Sequence, residues 1–201
     1  MAIMRSEVKQ FDSSWFGFKN CGISSFRDDS HKYEWADVYL VVELKIEGSK
    51  YTRPCKIAGS FDKNPDGTIV DCTLLKRITY LCDAIDWDGG VNQFGQWVEG
   101  NAEETPIDDI ASYMDQKYGK GEEAPLDYYC YVYREAGKDG KTYTRVYSKF
   151  MKNTPDNKKS LESHIDWMRK NKYLKEVSES TDNSNTNEVQ VEVDGLSVSN
   201  L

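Results

Sequence analysis

The chain has 201 residues, 38% of them apolar, 12% aromatic and 30% charged, with a net charge of −8. That length suits one domain with a tail, and the aromatic residues supply large surfaces for a core. A net negative chain excludes a uniformly basic nucleic-acid binder but leaves room for a local basic face.

Charge is distributed unevenly. All 26 Lys and Arg lie at or before Lys175, and beyond it come Glu176, Glu179, Asp182, Glu188, Glu192 and Asp194 with no base. Residues 1–175 therefore carry −2 and residues 176–201 carry −6. Residues 178–187 hold no apolar side chain, so 176–201 is expected to be a disordered acidic tail open to protein partners. No apolar run approaches the roughly 18 residues of a membrane span. The start, Met1 to Glu7, lacks the apolar stretch of a secretory signal. The expectation is a cytoplasmic protein with no membrane association. The five cysteines, Cys21, Cys55, Cys72, Cys82 and Cys130, form no C-x-x-C, and His31 and His164 are not spaced for zinc. Buried, reduced thiols are expected.

In chain order, residues 1–32 are mixed, with Trp15-Phe16-Gly17-Phe18 as a packing segment. From Ala36 to Ile46 apolar residues occupy every second position, which predicts a strand with one buried face. Gly48-Ser49 predicts a hairpin, and Tyr51 to Phe61 returns as the second strand, with Pro54 implying a nearby free edge. Asn64-Pro65-Asp66-Gly67 is a turn leading into a third strand, Thr68 to Thr73. Leu74, Leu75, Ile78, Leu81, Cys82 and Ile85 fall at helical spacing and predict a helix over 74–86. A Gly- and Asn-rich loop over 87–104 contains Trp87, Phe94 and Trp97. A second helix is expected with Thr105 as N-cap, Pro106 in the first turn and Gly119 as its stop.

Tyr128 to Glu135 and Lys141 to Phe150 flank Lys138-Asp139-Gly140, a hairpin signal with two possible registers. A two-residue loop puts Tyr131 and Tyr133 on the face of Val146 and Phe150. A three-residue loop with Gly140 left-handed gathers Tyr129, Tyr131, Tyr133, Tyr143, Arg145, Tyr147 and Lys149 on one face and the aliphatic residues on the other. Only the second separates the two chemistries, so it is preferred. Thr154 then caps, and Pro155 opens, a third helix over 155–172 lined by Leu161, Ile165 and Met168.

Three strands, a helix and a hairpin is the order of an OB-like five-stranded Greek-key β-barrel with added helices, an α+β architecture; other small barrels fit the same order. The expected organisation is an OB-like domain over 1–175, with a helical insertion at 87–127 and a C-terminal helix at 155–172, followed by the tail 176–201.

Tyr131-Val-Tyr-Arg-Glu-Ala-Gly-Lys-Asp-Gly-Lys-Thr-Tyr-Thr-Arg-Val-Tyr147 and Leu161-Glu-Ser-His-Ile-Asp-Trp-Met168 resemble segments of phage-encoded early proteins regarded as single-stranded DNA-binding proteins. The body-plus-acidic-tail plan is also similar to phage and bacterial single-strand binders. The resemblance implies an OB-type fold, sequence-tolerant binding of single-stranded DNA in replication or recombination, and a tail that recruits replication or recombination proteins and competes with DNA. Such tails end in an acidic cluster and a terminal aromatic residue, whereas this chain ends Ser197-Val-Ser-Asn-Leu201.

The hairpin face carries the chemistry that single strands need, because bases stack on flat rings and cations follow phosphates. Tyr129, Tyr131, Tyr133, Tyr143, Arg145, Tyr147 and Lys149 are its candidate binding residues, and Trp35, Tyr39, Lys45 and Lys56 extend it onto the first hairpin. The bland alternative is that tyrosines simply cover a half-buried sheet. Asp62-Lys-Asn64-Pro-Asp66-Gly67-Thr68-Ile69 matches the opening of a calcium-binding loop, but Thr73 stands where the bidentate Glu belongs. Glu43-Leu-Lys45 puts a carboxylate and an amine on one strand face, as some metal-dependent nucleases do. Neither phosphate-binding glycine loop nor nucleophile elbow occurs. A binding protein that is not an enzyme, with no cofactor and no metal, is the expectation. The alternative is an acidic protein-interaction module that docks on a host or replication protein through 105–118 and the tail.

Overall fold

The computed structural model describes residues 16–100 and 105–177. Trp15 and the tail beyond Val177 lie outside the described residues. The elements run β1 (Gly17–Asp28), a 3-10 turn (Ser30–Lys32), β2 (Val38–Ile46), β3 (Thr52–Gly59), α1 (Thr73–Ile85), β4 (Gly90–Val91), β5 (Trp97–Glu99), β6 (Thr105–Pro106), α2 (Ile110–Tyr118), β7 (Tyr128–Ala136), β8 (Thr142–Val146), β9 (Met151–Lys152) and α3 (Pro155–Lys170).

Strand order is β1-β2-β3-β8-β7, and β7 pairs back onto β1, so five strands close into a barrel with β9 added beside β7. All neighbours are antiparallel except β3 and β8, which run parallel and share one backbone pair, Cys55 with Val146. This is an OB-like Greek-key barrel with α1 in the connection between its third and fourth strands.

The inward faces explain the closure. Leu40, Val42, Leu44 and Ile46 of β2, Cys55 and Ile57 of β3, Cys130 and Val132 of β7, and Val146 meet Cys21, Ile23 and Phe26 of β1 in one core. Helix α1 lays Leu74, Ile78, Leu81 and Ile85 against the same cluster. The five cysteines are free and buried, and burial pushes the Cys82 thiol up to about 12.

The barrel's first strand is β1, not the segment 36–46. The period-two signal of β1 is broken by a bulge between Ile23 and Ser25, which moves the inward set from Cys21 and Ile23 to Phe26. The expected third strand, Thr68 to Thr73, is reduced to one bridge between Lys63 and Ile69. Its preceding turn is as expected: Gly67 N donates to Asn64 O, and the Asp66 carboxylate accepts from Thr68 N and Oγ1.

The insertion is not only helical. β4, β5 and β6 make a small antiparallel sheet, so Thr105 and Pro106 pair with Glu99 and Val98 instead of starting a helix. Ile107 N donates to Trp97 O and extends that pairing. Asp109 caps α2 instead, its carboxylate accepting from Ser112 N at 3.0 Å. The insertion returns across β1 at Gly22, where an added Cβ would lie 2.3 Å from Pro125 O. Only glycine permits that approach.

The β7–β8 hairpin follows the three-residue register: Tyr133 faces Arg145, Glu135 faces Tyr143, and Gly140 has φ 76°. Its aliphatic face turns into the barrel and its tyrosine-rich face turns out. α3 runs over that outer face. Thr154 caps it, and Leu161 and Ile165 are fully buried against Tyr131.

Candidate nucleic-acid interface

A groove of about 1110 Å³ runs over the β2–β3 face, the parallel seam to β8, the start of α1 and the end of α3. Among the described residues its basic side chains are Lys56, Lys76, Arg77, Arg145 and Lys175 and its one lining acid is Glu135, with Asp71 paired to Lys76 at 3.3 Å just outside it. Its rings include Trp35, Tyr39, Tyr80, Tyr133, Tyr147, Trp167 and Tyr173. A chain of net charge −8 thus concentrates cations and flat rings in one concavity.

The β1–β2 connection builds one rim. The Asp29 carboxylate binds Lys32 at 2.7 Å and Arg27 at 3.1 Å, and Tyr39 N donates to Ser30 Oγ. Lys32 and Arg27 hold the Asp29 carboxyl below its usual range. This fixed turn presents Tyr33 stacked on Tyr39 at 4.2 Å, with Trp35 set edge-on to Tyr39 at 6.0 Å. Trp35 is 58% exposed. The Lys56 amine lies over the Tyr39 ring, 5.5 Å from its centroid. Helix α1 begins in the groove at Thr73 with no acid in its first turn and no side-chain cap, so its positive end adds to the field of Lys76 and Arg77. Arg77 also donates to Ala58 O.

Six of the residues expected from the sequence meet in this groove: Trp35, Tyr39, Lys56, Tyr133, Arg145 and Tyr147. Arg145 is shared with Glu135 at 3.1 Å. Tyr147 OH lies 3.0 Å from His164 Nε2, and burial, with the nearby Lys149 charge, lowers the His164 pKa. The other five lie elsewhere. Tyr131 is 4% exposed, packed under α3, and its hydroxyl meets Glu176 and Arg169. Burial raises its phenol to about 12. Tyr129 stacks on Phe18 and donates to Glu162 of α3. Lys45 reaches Glu122 O at 2.6 Å, and Tyr143 is tied to Asp139 of its own hairpin loop. Lys149 sits over the Tyr80 ring at 4.3 Å, and burial lowers its pKa. The outer face of the hairpin is therefore two surfaces: a part covered by α3 and a part, from Tyr133 to Tyr147, open to the groove.

Lys76, Arg77, Tyr80, His164, Trp167, Tyr173 and Lys175 are the groove residues that sequence reasoning missed. Lys76, Arg77 and Tyr80 share the polar side of a helix whose apolar stripe was legible, a signal that says where the helix is wet but not what lies beside it. Among the described residues no three His, Cys, Asp or Glu side chains gather as a metal site would need. Glu43, of the Glu43-Leu-Lys45 pair, binds Arg27 at 3.3 Å. No described helix is long and apolar enough to cross a membrane. A scan of family models matches none, and searches of curated proteins and of solved structures find no match either.

Proposed function

We propose that this protein binds single-stranded DNA in the groove, without sequence preference and without chemistry, in DNA replication or recombination of the phage type that its hairpin and tail resemble. The observation that carries the reading is one groove beside β2 and β3 of an OB-like barrel that gathers the exposed ring of Trp35, backed by the buried Tyr39, with Lys56, Lys76, Arg77 and Arg145. Rings accept bases of any identity on their faces, and the cations take the phosphates between them. The β2–β3 face is also where OB barrels hold oligonucleotides.

A gel shift with single-stranded and duplex oligonucleotides at two salt concentrations tests it. Single-strand binding that weakens steeply with salt is expected, because each neutralised phosphate releases counterions. Equal affinity for duplex, or no binding at low salt, sinks the reading. No binding by a folded chain would leave the acidic protein-interaction module as the better account, given the charge of −6 on 176–201.

A further inference from the structure

We propose that Trp167 and Tyr173 form a second base-stacking station, so that a single strand in the groove is held by aromatic groups on separate elements, Trp35 on its Tyr39 support and the end of α3. This rests on the single-strand reading of the groove and adds residues that the barrel alone does not supply.

The two rings stack on each other, centroids 5.5 Å apart and planes 28° from parallel. Trp167 is 53% exposed and Tyr173 65%, yet both line the groove. Packing therefore does not account for two large rings at this place. The cations that line the same groove, Lys175, Lys76 and Arg77 among them, select a polyanion over an apolar peptide as the occupant. A ligand with both flat apolar rings and negative charge at regular spacing is a nucleic-acid strand.

The backbone that presents the station is tied in place by several contacts. Lys172 takes a left-handed conformation, φ 60°, which turns the chain back after α3, and Tyr173 N donates to Met168 O at 2.9 Å. A side chain with a Cβ keeps such a conformation only where its surroundings hold it there. The following strap is pinned to the barrel, with Arg169 Nε on Glu176 Oε2 at 2.7 Å, Tyr131 OH on Glu176, and Val177 N on Arg134 O at 3.0 Å. Tyr131, expected from sequence to stack bases, instead anchors the segment that presents Tyr173. Arg169 and Glu176 are thus positioning residues for the second station.

Binding of labelled oligo-dT to the full chain, measured by fluorescence anisotropy at low salt, tests this with Trp35→Ala, Trp167→Ala, Tyr173→Ala and Trp167→Phe. Trp167→Ala and Tyr173→Ala are each expected to weaken binding by about 5- to 150-fold, and Trp167→Phe, which keeps a ring, by less. Thermal denaturation should be unchanged, since both rings are exposed. On an abasic strand of equal length, wild type and Trp167→Ala should bind alike, because nothing remains to stack. If Trp35→Ala weakens binding while Trp167→Ala and Tyr173→Ala match wild type, the second station is wrong and the groove reading stands. If the Trp167→Ala deficit persists on the abasic strand, stacking is not what the ring does, and the inference fails. If wild type does not bind oligo-dT, the single-strand reading itself fails. Should Trp167→Ala unfold, Tyr173→Ala and Trp167→Phe decide.

Discussion

Tyr131 and Tyr147 face each other across the hairpin, and their substitutions should do different things. Tyr131 is buried against Leu161 and Ile165, with its hydroxyl between Arg169 and Glu176. Tyr131→Ala is expected to lower stability by about 3–5 kcal/mol, as other large-to-small aromatic core substitutions do, and urea denaturation measures this. Any loss of single-strand binding by that variant would come from unfolding or from release of the strap that presents Tyr173, not from a lost stacking face. Tyr147 lines the groove, so Tyr147→Phe, which removes only the bond to His164, should leave the fold intact. His164 brings a pH dependence. Its pKa is lowered in the folded chain by burial and by Lys149, so the unfolded chain binds more protons between the two values. Its contribution to stability is complete above the unfolded value of about 6.5 and falls as pH drops towards its folded value. Melting temperatures from pH 7.5 to 5 should decline more steeply for wild type than for His164→Gln. Parallel declines would mean that His164 does not titrate differently on folding.

At the scale of elements, the helix that starts at Ile110 and the hairpin around Gly140 offer two independent tests. Asp109→Ala removes the carboxylate that accepts from Ser112 N and should cost about 1 kcal/mol. Thr105→Ala, outside α2, should cost no helix cap. The reverse ranking in chemical denaturation would put the helix start back at Thr105. Gly140 has φ 76°, so Gly140→Ala should lose about 1 kcal/mol. These sites also show what the sequence made legible. The inward set of β2 from Val38 to Ile46, the stripe of α1, the caps of α3 and the separation of aliphatic from aromatic residues in the hairpin each depend on neighbours close in sequence and are found where expected. The other face of β2, however, is buried as well at Tyr39 and Val41, with Ala36 packed on that side. β1 was hidden because its bulge shifts the inward set by one residue. Thr105-Pro106 imitates a helix start because pairing with Val98 and Glu99 of β5, the strand just before it, overrides the intrinsic preference. Tyr129 and Tyr131 lie under α3 for a similar reason: Leu161 and Ile165 mark an apolar stripe on α3, but nothing local says which tyrosines it covers. The groove itself joins β2, β3, β8, α1 and α3, and such a juxtaposition has no sequence signature.

For the whole molecule, the charge imbalance decides behaviour in salt. Cutting the chain after Val177 removes Glu179, Asp182, Glu188, Glu192 and Asp194 and takes the net charge from −8 to −3. Single-strand affinity should rise, most at low salt where screening is weakest. Equal affinities with and without these residues at low salt would show that the tail does not compete with the strand. A cut after Lys175 also takes Glu176 away from Arg169 and Tyr131, so it should in addition lower the melting temperature.

The closure of the barrel has a consequence for how the chain is made. β2 and β3 can pair as soon as both exist, but β1 must wait for β7, and β3 must wait for β8, which it meets at a single backbone pair between Cys55 and Val146. Barrels dominated by such distant pairings fold slowly. During synthesis, every nascent chain that stops short of β8 has two unpaired strand edges and a barrel that cannot close over its apolar interior. Refolding yield should therefore fall sharply with protein concentration, and ribosome-bound chains ending near residue 141 should be the species that chaperones hold.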